Sequence, residues 1–304
     1  MDLLLVSLSF INVGCFLVTL LYIMRRYIPF WLSDLFEWGK TKSNWDQSRW
    51  NRFLHVPNSW FTHFYIVGSS LSCALLWMLI IHCFHIKSPI TEYFPQILDL
   101  HYTPCVNYFT VLVSLLLLLV QCCRRLFECL FISVFTGKIH FSHYLVGLFY
   151  YVLDAIALAS PLLGKKKMDK DWCSLCREML SGLQNFSGIQ WLGIVVFLWA
   201  SWHQWNCHVI LAKLRHSAYG KTVKVYKIPY GDWFDHVSSP HYLAEIVIYF
   251  AFFLIQKGHN VYVGMILLFT VQNLSLGATV THSWYKNKFK EYPQNRYKIF
   301  PFLY

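Results

Sequence analysis

Long apolar runs alternate with charged connections along this chain, and their lengths set its plan. Leu3–Met24 is apolar for about 22 residues and closes on Arg25-Arg26. It is too long for a signal-peptide core and has no small-residue cleavage site, so it predicts a retained first membrane span. Residues 27–60 mix aromatic and charged positions, as an amphipathic segment at the membrane interface does. Phe61–Phe84 is the second span, residues 85–105 a loop, and Val106–Cys123 the third span. The apolar pattern resumes at Leu126–Phe135 after Arg124-Arg125, which predicts that the third helix continues past the membrane surface. Ser142–Leu163 is the fourth span. After a polar loop over 164–189, spans five, six and seven fall at Gln190–Leu211, Tyr242–Ile255 and Val261–Val280. The pattern predicts an all-α polytopic integral membrane protein of about seven transmembrane helices, in one transmembrane domain over 1–304 and with no internal repeat.

Composition agrees with this plan. Of 304 residues, 56% are hydrophobic, 19% aromatic and only 13% charged, which excludes an ordinary soluble globular domain. The net charge of +11 does not point to nucleic acid, because Lys and Arg flank the apolar runs instead of forming one basic face. They concentrate after span one, between spans three and four, over 212–241 and in the C-terminal tail. By the positive-inside rule the N-terminus is lumenal and the C-terminus cytosolic, with Lys165–Lys170 as the exception. The ten cysteines are scattered, several within apolar runs, so they read as small core residues and not as a disulfide framework. Nothing in the sequence calls for an obligate protein partner.

Candidate chemistry concentrates in the last hundred residues. Lys227–Glu245 is a polar, turn-rich stretch in which Ser239 can cap a helix and Pro240 suits its first position. The helix so begun carries His241 and, one turn further on the same face, Glu245 into an apolar run. An ionisable side chain at that depth is a functional-site candidate, against the plainer reading of a carboxylate paired with a neighbouring helix. Asp154 in span four stands apart from the other polar clusters and reads as helix glue. In span five Gln204, His208, Leu211 and Arg215 recur along one stripe, so that helix lines something wet. His203 and His208 are five apart and there is no HxxHH box, so a di-iron centre lacks its ligands and no metal is expected. The cations and hydrogen-bonding groups at cytosolic helix ends, Lys40, Arg125, Arg215, Lys227, His241, His282 and Arg296, suit a phosphate-bearing cofactor. Without GxGxxG or a Walker loop, it is not held as in soluble nucleotide-binding folds.

The C-terminal stretches YKIPYGDWFDHVSSPHYLAE and THSWYKNKFKEYPQNRYKIFPFLY resemble the steroid 5-alpha-reductase family. The terminal Tyr292-Pro293, Arg296 and Pro301-Phe302 pattern, His282 and Tyr285 before it, and the VSSPHYLAE helix start all match in order and spacing. SRW…FLHVPNSWFTHFY, CRRLFE and WHQWNCHVILAKLR are most similar to the polyprenol reductase branch, and the resemblance spans nearly the whole chain. It implies a seven-helix enzyme of the endoplasmic-reticulum membrane that uses NADPH to saturate an alkene beside a carbonyl. By position, NADPH contacts fall on Gly39, Lys40, Arg125, Gln204, His208, Arg215, Lys227, His241, Tyr285 and Arg296. Residues 1–163 then serve the substrate side and 190–304 the cofactor side.

The family's steroid-gripping glutamate and tyrosine are replaced here by His55 and Cys122, which argues for a polyprenyl lipid whose tail stays in the bilayer. An allylic alcohol offers hydride no electrophilic carbon and a conjugated aldehyde does, so polyprenal is the favoured species, on the route to dolichol for N-glycosylation. His55, Tyr242 and His282 are the candidate donors, with Glu245 as orienting partner. A steroid-enone dehydrogenase, an isoprenoid-directed membrane methyltransferase and a non-enzymatic lipid-binding protein remain as alternatives.

Overall fold

The computed structural model describes residues 2–25, 27, 54–83, 106–163, 172–215 and 226–304. Gly39, Lys40 and most of the interfacial segment over 27–60 lie outside the described residues. Eight α-helices are seen among those described: α1 (Leu3–Ile23), α2 (Phe61–Cys83), α3 (Tyr108–Phe127), α4 (Phe141–Leu163), α5 (Trp172–Gln184), α6 (Gly188–Lys213), α7 (Pro240–Ile255) and α8 (Val261–Lys288). One small antiparallel pair, β1 (His55–Pro57) with β2 (Lys138–His140), sets His55 opposite His140. The protein is otherwise all-α.

Local chemistry fixes the helix starts. Asp2 accepts from the Leu5 N–H at 2.9 Å, Asn107 from Thr110 at 2.9 Å and Asn260 from Tyr262 at 3.0 Å, each satisfying an N–H that the helix itself leaves open. Pro240 takes the first position of α7 as expected. Ser239 stands at the capping position but makes no capping bond, contrary to expectation, and its hydroxyl is buried with no partner among the described residues. The neighbouring Ser238 is tied down instead, to His282 Nδ1 and the Tyr292 hydroxyl, both at 2.6 Å.

Among the described residues five helices, α1, α2, α3 with its extension, α4 and α8, are long and apolar enough to cross a membrane. The count is six if α5 and α6, which meet at 83°, form one broken span. The 16 residues of α7 reach about 24 Å, short of a hydrocarbon core of about 30 Å, and it packs against α6 and α8. The 28 residues of α8 reach about 42 Å, longer than the core, and its last turns carry His282 and Tyr285. The expected loop over 164–189 contains α5, whose apolar Leu180 and Leu183 are exposed while Met179 packs on Leu79 and Tyr108. Overall polarity had hidden that helical stripe. The third helix does continue past Arg124-Arg125, its last turn widening to a π-turn over Glu128–Ile132.

A cluster of amide side chains inside the bundle is matched to partners. Gln190 donates to Thr110 and to the Ile255 carbonyl at 2.9 Å, Gln256 to the Leu158 carbonyl and Asn260 to the Ala157 carbonyl at the same distance. Such bonds join helices where lipid offers no competing partner. Asp154 accepts from the Tyr249 hydroxyl at 3.1 Å and is buried, consistent with the helix-joining role expected for it.

Candidate active site

Opposite that amide cluster, α3, α6 and α7 bring a polar network together. Gln121, Arg124, Arg125 and Glu128 share one face of α3 because they recur at three and four residues. Gln204 and His208 do the same on α6, and His241, Tyr242 and Glu245 on α7. Arg124 donates to Gln121 at 2.7 Å and is paired with Glu128 and with the Gln204 carbonyl oxygen. The Gln204 amide in turn donates to Glu245, which Gln121 also approaches at 3.5 Å. Arg125 is paired with Glu128 and donates to the Tyr65 hydroxyl at 2.9 Å and 3.1 Å. His208 Nδ1 lies 2.7 Å from the same Glu128. Two guanidinium groups and an imidazole thus meet one fully buried carboxylate, Glu128, while Glu245 is held by side-chain amides, and a charge in a low-dielectric interior needs such partners.

This network forms the polar wall of a cavity of about 410 Å³. Arg125, Gln204, His208, His241, Tyr242 and Glu245 supply its polar lining, and Phe61, Phe64, Tyr150, Tyr151, Tyr249 and Phe269 its aromatic lining. A second cavity of about 220 Å³ shares His208, Leu211, Ser133 and Phe135 with it and adds Arg215, Tyr226, Lys227 and Tyr285. Arg215 lies 3.9 Å over the Tyr226 ring, and one of its buried terminal nitrogens has no hydrogen-bond partner among the described residues. Arg296 is 4% exposed and stacks on Tyr230 at 4.6 Å, yet its Nε and one terminal nitrogen are likewise without acceptors among the described residues. Tyr292 joins the two regions, stacking on Tyr285 at 5.3 Å and facing Arg296 at 5.4 Å. Guanidinium N–H groups held buried and unmatched fit a phosphate, whose oxygens accept in the plane of the fork.

The sequence candidates divide by place. Tyr242 and Glu245 stand on the large cavity with Arg125, Gln204, His208 and His241, while Arg215, Lys227 and Tyr285 stand on the small one. His55 does not line either cavity. It is buried on β1, its ring edge-on to His140 at 5.4 Å. His282 is also elsewhere, held by Ser238 and packed edge-on against Tyr292. Cys122 is fully buried between helices, so close to Gly68 that a Cβ there would come within 2.7 Å of its sulfur. His203 pairs with Asp232 at 2.9 Å and stacks on Trp233, outside the cavity lining. Sequence reasoning missed Gln121, Arg124, Glu128 and Tyr65. An acid three and four residues after two arginines was the available signal for Glu128.

The two stretches that carry the family resemblance meet in space. Ser238 N–H donates to the Tyr297 carbonyl and Tyr297 N–H to the His236 carbonyl, both at 2.9 Å, so the C-terminal tail is laid along the segment that opens α7. Residues 167–304, which include both, match the sequence family described as 3-oxo-5-alpha-steroid 4-dehydrogenase. Over 292 residues the chain is 34% identical to a polyprenal reductase of Xenopus tropicalis, covering 89% of this chain and 87% of that one. It is 35% identical over 287 residues to a polyprenal reductase of Homo sapiens, covering 89% and 85%. With polyprenal reductase 1 of Oryza sativa subsp. indica it shares 33% identity over 285 residues, covering 82% and 79%. This near full-length similarity places the chain in the steroid 5-alpha-reductase family, in the branch of the polyprenal reductases.

Proposed function

We propose that the protein is an NADPH-dependent reductase of the endoplasmic-reticulum membrane that saturates the α-isoprene double bond of polyprenal on the route to dolichol for protein N-glycosylation. The observation that carries this reading is a cavity lined by both charged and aromatic side chains, which shares lining residues with a smaller cavity bearing Arg215, Lys227 and Tyr285. Its volume of about 410 Å³ suits a polar head and the first isoprene units, and the remaining tail stays in the bilayer. Arg215, on the small cavity, and Arg296, which lines neither cavity, supply unmatched donors for phosphate, and Arg125, Gln204, His208 and His241 line the large cavity. Gly39 and Lys40, outside the described residues, complete the proposed cofactor set. NADPH supplies the hydride equivalent that the β-carbon of a conjugated aldehyde accepts.

The protein's own part is positional and electrostatic. Of the three donors raised from the sequence, Tyr242 alone lines the cavity, and it is assigned the hydrogen bond to the aldehyde oxygen as negative charge develops there. Glu245, held by the Gln204 amide, orients the polar wall beside it. The aromatic lining, from α2, α4, α7 and α8, excludes water and receives the isoprenoid. Phe269 of α8 and Arg125 of α3 cross the proposed division into a substrate half over 1–163 and a cofactor half over 190–304.

The test is a set of initial rates in detergent with NADPH saturating. Polyprenal is expected to be reduced far faster than polyprenol, and a 3-keto-4-ene steroid poorly, because each 1.4 kcal/mol of barrier is about tenfold in rate. Equal turnover of the alcohol by protein free of dehydrogenase would remove the aldehyde mechanism, and efficient steroid turnover would remove the polyprenyl assignment. Affinity for S-adenosylmethionine in place of NADPH would point to a methyltransferase, and affinity for neither to a lipid-binding protein.

A further inference from the structure

Glu128 is the most enclosed charge in the network, and three groups converge on it: Arg124 and the cavity-lining Arg125 and His208. It opens the π-turn Glu128–Ile132, and such turns interrupt α-helices mostly where a side chain must be re-aimed. His208 Nδ1 lies 2.7 Å from Glu128 Oε2 and 2.6 Å from an Arg125 terminal nitrogen that is itself paired with that oxygen. Arginine is always a donor. If Nδ1 were a bare acceptor, its lone pair would face a carboxylate oxygen at 2.7 Å, and two acceptors repel at that distance. If Nδ1 carries the proton, it gives up acceptance from Arg125 at 2.6 Å, but both groups then donate to one carboxylate oxygen, which has lone pairs for both and whose negative charge lies against the two donors and offsets their crowding.

We propose that Glu128 is a positioning residue that holds the His208 proton on Nδ1, so that Nε2 meets the cavities as a hydrogen-bond acceptor. His208 lines both cavities, and among the described residues its Nε2 has no partner. The group it accepts from is an amide or hydroxyl hydrogen of the nucleotide cofactor. This purpose rests on the function proposed above, while the tautomer itself is a property of the protein alone. Glu128 also keeps Arg125 turned toward Tyr65, so one buried carboxylate sets the direction of two cavity-lining groups.

The experiment is nitrogen NMR of the full-length protein in detergent without cofactor, with 15N-labelled histidine and the His208 signals identified by their loss in His208→Gln. The expected result is a protonated Nδ1 and a bare Nε2. Glu128→Gln should shift the proton toward Nε2 and lower NADPH affinity at least tenfold by direct titration, and Glu128→Asp, which keeps the charge, should restore most of both. A wild-type spectrum with the proton on Nε2 overturns the proposal. So does a folded Glu128→Gln protein whose tautomer and NADPH affinity are unchanged, the behaviour of a purely structural residue. Should Glu128→Gln fail to fold, the wild-type spectrum and Glu128→Asp still decide. A protonated Nδ1 in a protein that binds no NADPH upholds the tautomer and overturns the cofactor reading.

Discussion

Arg296 shows at the scale of one residue how burial and function pull apart. A guanidinium that is 4% exposed ordinarily has its N–H groups matched, because an unmet buried donor is costly. Here two of its nitrogens have no acceptor among the described residues, although Tyr230 and Tyr292 cover its faces. Stacking on rings holds the plane of the group and leaves its edge for a ligand. Lysine offers a point charge without that plane, and hydrogen bonds to charged groups are worth about 1.5–3 kcal/mol. Arg296→Lys and Arg215→Lys are therefore each expected to weaken NADPH binding about tenfold or more, with yield and thermal midpoint little changed. Isothermal titration of the purified variants checks this, and unchanged affinities would take both residues out of the cofactor site.

Among the elements, the pairing of α6 with α7 carries most of the polar wall, since Gln204 and His208 come from one and His241, Tyr242 and Glu245 from the other. Gly193 lets the two approach. A Cβ there would come within 2.7 Å of Ile255 Cγ1 and 3.0 Å of the Ala251 carbonyl oxygen, and the backbone atom cannot swing aside. Overpacking of this kind costs about 1–3 kcal/mol. Gly193→Ala is expected to lower the thermal midpoint by several degrees, and the loss of turnover to follow the loss of folded protein. Differential scanning fluorimetry beside active-site titration would show it, and an unshifted midpoint would mean that the helices separate freely at this point.

For the whole molecule, the proposed function sets an expected orientation. NADPH is too highly charged to cross the hydrocarbon core, so on that proposal Arg215 and Tyr285 are expected on the side that supplies it, which the positive-inside rule takes as the cytosol. An acceptor site for N-glycosylation appended after Tyr304 is expected to stay unmodified in microsomes, whereas one inserted within residues 164–170 is expected to be modified. The reverse pattern on a glycosylation gel shift would invert the assigned topology and with it the side from which cofactor enters.

Apolar run length was enough to give the all-α membrane architecture, because an unbroken run near 20 residues has few places to go except across a bilayer. It placed α1, α2, α4 and α8 within a few residues at the starts, and the VSSPHYLAE motif placed the beginning of α7. The stripe Gln204, His208 and Arg215 was legible because helical spacing alone puts those groups on one face. What the sequence left open was meeting between helices. Only the tertiary structure set Glu128 against His208 across 80 positions, put Tyr242 on the cavity while leaving His55 and His282 off it, and buried Cys122 against Gly68. Periodicity fixes which face a residue occupies on its own helix, while the partner across the interface depends on how helices are shifted and rotated against each other, which is settled by packing of the whole bundle.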